Sequence, residues 1–350
     1  MTTQDSTASQ APSAPAAAGT EVEQEEERRR RKLLLLLLLF VAIAAVATYL
    51  ILRATGSSTS DLPGIGSTEL PTYQFSFYGV ARPLGVAVNR AGDRVYVTES
   101  DGPRLVHVYD RDGKHLGTLG PPTKNSGLAH VPVYVAVDPV NDDVYVSDRI
   151  TQAVYVYNAK GAYKRTFQPS RAEIGGGWQP LGLAFDAEGT LYVTDVSGPA
   201  NRILSFDRAG RLLRIFGASA RLSFPNGLAV DGVGNVYVAD SNNGRVVVFD
   251  RTGRLVAGIG QGAGAERFGL PRGVALDGKN RLFVVDTTDQ SVQVLKVPDS
   301  GTPLPELIGG FGQEGSVEGA FEYPNGDAVD GSGRVYVTDR ENNRVQVWSY

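Results

Sequence analysis

Apolar residues in this chain occur in short runs of three or four, separated by turn signals rich in Gly, Asn and Asp. The clearest example lies between Phe224 and Gly260. Its four apolar runs are Leu228–Val230, Val236–Val238, Val246–Phe249 and Leu255–Ala257. Runs of this length, bounded by turn residues, predict four consecutive antiparallel β-strands.

The same four-strand cassette recurs along most of the chain. Each copy has a proline at the start of its first strand, and successive prolines are 45 to 53 residues apart. These prolines are Pro83, Pro132, Pro180, Pro225, Pro271 and Pro324. Six such units predict an all-β fold, a six-bladed β-propeller, because stacked blades bury faces that a lone four-stranded sheet would expose.

The two ends of the repeat region predict how the ring closes. The last unit stops at residues 348–350, directly after its third strand, and so lacks an outermost strand. A strand-like stretch at residues 73–79 precedes the first unit. We expect this N-terminal strand to complete the last blade, which removes a free sheet edge and ties the first blade to the last.

The segment before the repeats predicts a membrane anchor. Residues 1–32 are polar and end in an acidic and then a basic cluster, so we expect a disordered tail. Residues 33–52 contain no charge, and as a transmembrane α-helix they would span ~30 Å, one hydrocarbon core. Residues 53–72 are rich in Gly, Ser, Thr and Pro and predict a flexible linker to a propeller at 73–350.

The charge distribution around this apolar run predicts its orientation. Basic residues lie almost entirely on its N-terminal side, which indicates a cytoplasmic N-terminus and an extracytoplasmic propeller on a single-pass protein of the cell membrane. A cleaved signal peptide shares this pattern and remains the alternative.

Composition narrows the possible chemistry. The formal net charge is -4, so the totals show no basic excess, and we expect no nucleic-acid partner. The chain has no Cys, which excludes disulfides, Cys-ligated metals and thiol nucleophiles. Its three histidines all lie in or just after the first unit, and we predict no metal site from them.

The repeated motif resembles the NHL repeat. It combines a Pro-x-Gly step, a Val-Tyr-Val strand, an acidic residue and an Arg-Val-x-Val strand, and is most complete in Pro225–Phe249 and Pro324–Trp348. The resemblance covers residues 73–350 and implies the propeller fold. It leaves the activity open, since the family includes extracellular sensor domains, lyase-like enzymes and RNA- or protein-binding modules.

Every unit places a carboxylate directly after its second strand. The six are Glu99, Asp148, Asp195, Asp240, Asp286 and Asp339. A ring of carboxylates could attract a cation to a channel mouth. Alternatively each carboxylate could organise its own loop, paired with a downstream arginine, and we favour this structural interpretation because the position is filled in every blade.

Arginine spacing separates the six acids into two groups. Asp240 and Asp339 precede Arg245 and Arg344 by five residues, Glu99 precedes Arg104 by the same interval, and Asp195 precedes Arg202 across a short insertion. Asp148 and Asp286 have no arginine at this spacing, which makes them candidates for ligand contact.

Specificity is expected where the blades differ. We define the channel-mouth face as the loops that enter the innermost strands together with those that follow the second strands. Its variable residues are Leu84, Val133, Tyr134, Leu181, Asn226, Arg272 and Asn325, with Trp178 and Tyr323 nearby. The predicted ligand-binding set is Tyr134, Asp148, Trp178, Asn226, Arg272, Asp286, Tyr323 and Asn325. For Trp178 and Tyr323 the competing interpretation is packing between blades.

Two functions follow from these patterns. The leading hypothesis is an extracytoplasmic module or scaffold that binds a protein, peptide or glycan, with no catalytic residue and no cofactor assigned. The alternative is a lyase- or lactonase-like enzyme with a divalent cation in the central channel, held by Asp148, Asp286 and other ring carboxylates.

Overall fold

A computed structural model of the chain describes residues 28–34, 70–122, 129–198, 201–260, 268–298 and 304–350. The chain divides into two compact units, Met1–Ser67 and Thr68–Tyr350. In the first unit a short helix covers residues 28–34. No helix in the described ranges is long and apolar enough to cross a membrane. The predicted transmembrane run lies outside those ranges from residue 35 onward, as do most of the predicted tail and linker.

The second unit consists of six four-stranded antiparallel sheets, which are the six predicted blades. Blades 1 to 3 contain β2 (Pro83–Val88), β3 (Val95–Glu99), β4 (Val106–Tyr109), β5 (His115–Leu119), β6 (Pro132–Val137), β7 (Val144–Asp148), β8 (Ala153–Tyr157), β9 (Tyr163–Phe167), β10 (Pro180–Phe185), β11 (Leu191–Asp195), β12 (Arg202–Phe206) and β13 (Leu212–Phe216). Blades 4 to 6 contain β14 (Pro225–Val230), β15 (Val236–Asp240), β16 (Arg245–Phe249), β17 (Leu255–Ile259), β18 (Pro271–Leu276), β19 (Arg281–Asp286), β20 (Ser291–Lys296), β21 (Glu306–Phe311), β22 (Pro324–Val329), β23 (Val335–Asp339) and β24 (Arg344–Ser349). Short 3-10 turns cover Ala218–Ala220 and Ser241–Asn243.

The N-terminal strand β1 (Thr72–Tyr78) closes the ring, which confirms the prediction from the two ends of the repeats. It pairs with β24, with Phe75 opposite Val347 and Phe77 opposite Val345. The last blade therefore has the strand order β1-β24-β23-β22. Because the first and last parts of the propeller share one sheet, the last blade has four strands like the other five and the ring is closed.

The middle strands of each blade are buried on both faces by the neighbouring blades. In blade 4, Val238 and Val247 pack in a cluster with Ile203 of blade 3. Tyr237 and Val246 point to the opposite side of the same sheet and pack against blade 5. This alternation explains the Val-Tyr-Val strands, since both the odd and the even positions of a central strand lie in a core.

A ring of hydroxyl groups joins each blade to the next beside the central channel. Thr98 donates to the carbonyl of Val133 at 2.8 Å, and Thr338 donates to that of Leu84 at 2.8 Å. The other four bonds run from Ser147 to Leu181, Thr194 to Asn226, Ser241 to Pro271 and Thr287 to Pro324. One carbonyl of each innermost strand, which has no further strand beside it, is thereby satisfied.

At the opposite end of the strands, acidic residues form the tight hairpin turns that the sequence predicts. Asp250 Oδ1 accepts hydrogen bonds from the backbone N–H groups of Thr252 and Arg254 at 2.9 and 3.0 Å. Gly253 has a φ of 82°, a conformation that glycine adopts without strain.

Two arginine–carboxylate pairs provide a matched test of what burial adds to an ion pair. Arg344 and Asp339 are 3% and 0% exposed at 2.7 Å, whereas Arg254 and Asp250 are 81% and 20% exposed at 3.1 Å. We predict that Arg344→Leu lowers the free energy of unfolding by about 3 kcal/mol, since it leaves a buried carboxylate without its cation. Arg254→Leu should cost less than about 1 kcal/mol.

Denaturant unfolding of both variants measures this difference. Equal losses of stability would contradict the structural role of the buried pair.

Candidate functional site

The six ring carboxylates all turn inward to the loop that enters their own blade. Asp240 Oδ1 accepts from the backbone N–H of Ser223 at 2.6 Å, and Asp339 Oδ1 accepts from that of Glu322 at 2.7 Å. The equivalent bonds are Ala81 to Glu99, Val131 to Asp148, Gln179 to Asp195 and Leu270 to Asp286. All six side chains are buried, so they fix the loops of the channel-mouth face from within.

Three of the predicted arginine pairs are present as ion pairs. Asp195–Arg202, Asp240–Arg245 and Asp339–Arg344 lie at 2.9, 2.6 and 2.7 Å. The Glu99 carboxylate instead contacts the backbone N–H of Arg104, at 2.9 Å. Its side-chain neighbour is His107, whose Nε2 lies 3.3 Å from Oε1.

Asp148 and Asp286 are buried within their own blades and are absent from the cavity lining. Asp148 is held by His130, with Nδ1 at 3.2 Å, and by the N–H groups of Ile150 and Thr151. Asp286 accepts from the N–H of Gly269 at 2.7 Å, besides that of Leu270. Backbone donors and a histidine 18 residues upstream thus replace the arginine that these two blades lack.

The residue after each repeated proline reaches the centre of the ring because the first strand is bulged there. In blade 4 the proline Pro225 pairs with Asp240, and the regular register resumes only at Leu228. All six blades show this shift at the same point. A bulge re-aims the side chains beside it, and here it turns one residue per blade toward the channel.

These six residues line one central cavity of about 420 Å³. They are Leu84, Val133, Leu181, Asn226, Arg272 and Asn325, as the sequence predicts for the variable positions. Further lining residues form the rim, and these are Arg82, Ser100, Asp101, Arg104, Val131, Arg149, Phe224 and Arg340. Blades 1 to 3 contribute an apolar half of the inner ring, and blades 4 to 6 a polar half.

The polar half is ordered by a short hydrogen-bonded chain. Arg272 Nη1 donates to Asn325 Oδ1 at 3.0 Å, and Asn325 Nδ2 donates to the carbonyl of Leu84 at 3.0 Å. Asn226 Nδ2 donates to Ser241 Oγ at 2.6 Å. Each of these side chains is therefore held in place before any ligand arrives. The Arg272 guanidinium has further N–H donors besides the one bound to Asn325.

Tyr134 crosses the central channel. It occupies the position that is glycine in the other five blades, and its phenol donates to the carbonyl of Arg272 at 3.3 Å. Tyr134 belongs to blade 2 and Arg272 to blade 5, which lie opposite one another in a six-membered ring. Burial raises the pKa of the Tyr134 phenol, so the group remains a neutral donor.

Asp327 breaks the repeat below the cavity. The equivalent residues of the other blades are valine or leucine. Burial raises the pKa of Asp327 well above its usual range, which favours the protonated form. Its two carboxyl oxygens have no hydrogen-bond partner among the described residues. The signal was present in the sequence, as the only charged residue at this repeat position.

Two further members of the predicted set lie outside the cavity lining. Trp178 is 2% exposed and packs edge-on against Phe167 and Phe206, with ring centroids 6.2 and 6.0 Å away. Trp178 is thus a core residue between blades 2 and 3. Tyr323 is 48% exposed and precedes the proline of blade 6, the position that Phe224 occupies in blade 4.

Three of the four rim arginines could have been predicted from the sequence but were not, although their positions in the repeat are regular. Arg82 directly precedes a repeated proline, while Arg149 and Arg340 directly follow a ring carboxylate. An alignment of the six units by these two landmarks would have placed all three on the channel-mouth face. A net charge summed over the whole chain does not show such a cluster.

The described residues contain no group of three or more His, Asp or Glu side chains arranged to hold a metal ion. The ring carboxylates, which the enzymatic alternative required as oxygen ligands, accept backbone hydrogen bonds within separate blades. His107 and His115 lie 3.3 Å apart within blade 1.

Comparison with known proteins supports the repeat assignment. Residues 222–249 and 321–348 match the NHL repeat family. The chain is 28% identical over 155 residues to Protein brain tumor of Drosophila melanogaster, which covers 43% of this chain and 14% of that protein. It is 28% identical over 196 residues to NHL repeat-containing protein 3 of Mus musculus, covering 50% of this chain and 54% of that one. The chain thus spans about half or less of these relatives.

Among solved structures, a streptogramin B lyase has a similar fold. The TM-score is 0.55 at 13% sequence identity, over 80% of this chain and 98% of that one. At this identity the likeness concerns the fold alone. This chain therefore contains NHL repeats and folds as a six-bladed β-propeller.

The bridge formed by Tyr134 can be tested by two substitutions. Tyr134→Phe keeps the ring and loses one hydrogen bond, so it should lower the free energy of unfolding by about 1 kcal/mol. Tyr134→Ala leaves a cavity between opposite blades and should cost about 3–5 kcal/mol. Denaturant unfolding distinguishes them, and an alanine variant as stable as the phenylalanine variant would show that the side chain does not support the ring.

Proposed function

We propose that this chain is a binding module and that its NHL propeller presents the channel-mouth face to a protein partner. The observation that carries the proposal is that structural residues recur in every blade, whereas the residues that line the cavity do not. Carboxylates, prolines and hydroxyls recur because each blade needs them, whereas the residues around the central cavity differ from blade to blade. A ligand that lacks sixfold symmetry can be recognised only by such differences.

Strained residues in the loops that enter the blades support the same face. Arg82, Phe224 and Tyr323 each directly precede a repeated proline and have φ values of 48°, 53° and 52°. Left-handed backbone is uncommon for bulky residues and costs of order 1–3 kcal/mol per residue. Phe224 is 43% exposed at the cavity rim. Exposed aromatic and arginine side chains around a cavity are typical anchors of protein interfaces.

Site-directed photo-crosslinking tests this face directly. A benzoylphenylalanine at Phe224 or Tyr323 of the full-length chain should form a protease-sensitive adduct in the cells that produce the protein. Val233 provides the matched control, because it is 71% exposed in the hairpin at the other end of blade 4. Adducts of equal yield at Val233, or adducts removed by nuclease, would contradict the proposal.

The proposal includes the topology predicted from the sequence. It rests on the uncharged run at residues 33–52 and on the basic cluster before it. We expect the full-length protein to remain with the membrane pellet after extraction with alkaline carbonate. Release into the supernatant would contradict a transmembrane anchor and would leave the assignment of the binding face unchanged.

A further inference from the structure

The central cavity concentrates positive charge in a chain that is acidic overall. The net charge of the whole chain is -4, yet the cavity lining contains five arginines and a single acid, Asp101. The arginines are Arg82, Arg104, Arg149, Arg272 and Arg340. They converge from blades 1, 2, 5 and 6, so the cluster arises from the fold and from no local run of basic sequence.

Three of these guanidinium groups have unused donors. The Nε atoms of Arg82, Arg272 and Arg340 are buried and have no hydrogen-bond partner in the described part of the chain. Arg82 and Arg340 share one carboxylate, that of Glu341, at 2.6 and 3.4 Å. A buried donor without a partner is costly, so an acceptor that reaches these groups as the arginine side chains adjust gains more here than at the open surface.

The three cations also repel one another. Burial, and then the positive charge of Arg82, lower the pKa of Arg340, and the charge of Arg272 acts in the same direction. The Glu341 carboxylate opposes this effect only in part. An additional anion between the guanidinium groups would relieve the repulsion and form charge-assisted hydrogen bonds.

The inner ring of the cavity is apolar in blades 1 to 3. Leu84, Val133 and Leu181 are consecutive members of the inner ring and pack together in one cluster. A ligand that fills the cavity can therefore place an anionic group among the guanidinium groups of Arg82, Arg272 and Arg340 and an apolar group against Leu84, Val133 and Leu181. A bare inorganic anion would contact the guanidinium groups and leave the apolar residues without a ligand group.

We propose that the cavity binds a carboxylate of the partner protein, together with an apolar side chain of the same peptide segment. The inference rests on the proposed function and specifies its chemistry. Guanidinium forks match carboxylates in a bidentate geometry. Phosphate also forms bidentate pairs with guanidinium groups, but a nucleic-acid backbone offers no counterpart for the aliphatic side chains of Leu84, Val133 and Leu181.

Four labelled hexapeptides test the inference in solution with the full-length protein in mild detergent. The first is Gly-Gly-Ser-Glu-Leu-Glu with a free C-terminus. In the second the C-terminus is amidated, in the third Gln replaces Glu, and in the fourth both changes are combined. We expect fluorescence anisotropy to show that the first peptide binds at least about tenfold more tightly than the fourth. The second and third identify whether a side-chain or a terminal carboxylate is bound.

Charge-removing variants locate the binding. Arg272→Gln and Arg340→Gln should each weaken the first peptide by about tenfold and leave the fourth unchanged. Arg251→Gln removes the same charge from an exposed position in the β16–β17 hairpin and should have no effect beyond twofold. Arg272→Lys keeps the charge without the fork and should be intermediate. Unchanged thermal midpoints show that the variants are folded.

The outcomes separate this inference from the proposed function. If the Phe224 adduct forms but survives Arg272→Gln, and all four peptides bind alike, the partner uses this face without a carboxylate and the inference is wrong. If no adduct forms at Phe224 or Tyr323, the proposed function itself fails. A labelled hexauridylate that binds more tightly than the first peptide would overturn the inference in favour of a phosphate ligand.

Discussion

One buried carboxylate in each blade fixes the loop that enters that blade, and the channel-mouth face depends on this interaction. Asp240 shows the arrangement, since one oxygen accepts from the N–H of Ser223 and the other pairs with Arg245. Because the loop precedes the repeated proline, the same contact positions the bulge that turns Asn226 into the channel. The geometry of the cavity therefore follows from six interactions that lie behind it.

The ring also limits where sequence variation is tolerated. A Cβ at Gly227 would come within 2.6 Å of the carbonyl of Arg272 in the next blade, so this position must remain small. Tyr134 is the exception, and its side chain crosses to the opposite blade instead. Variation is then left to the residues on either side of the proline, whose side chains face the cavity or its rim. Stability therefore depends on the small residue at the Gly227 position, and ligand specificity on the variable residues beside the proline of the same strand.

Most of the fold could be predicted from the sequence because the repeat supplies the same evidence six times. The spacing of the prolines predicted the number of blades, and the absence of an outermost strand in the last unit predicted that β1 closes the ring.

The site was predicted only in part. Asn226, Arg272 and Asn325 stand at one repeat position and were found together. For Trp178 the sequence left two interpretations open, and the structure shows the packing between blades, against Phe167 of the neighbouring blade. The partner of Asp148 was not predicted, because the sequence argument considered only arginines downstream of each carboxylate and His130 lies 18 residues upstream.

The central claim is that unsatisfied guanidinium donors at the channel mouth bind a carboxylate. Nε–H signals of arginine in ¹H–¹⁵N spectra of the full-length protein report on this most directly, with Arg82, Arg272 and Arg340 assigned by substitution. On addition of the peptide Gly-Gly-Ser-Glu-Leu-Glu, we predict that these three signals shift downfield and exchange more slowly with solvent, while that of Arg251 is unchanged. Binding of the peptide with no change in the three signals would contradict the account.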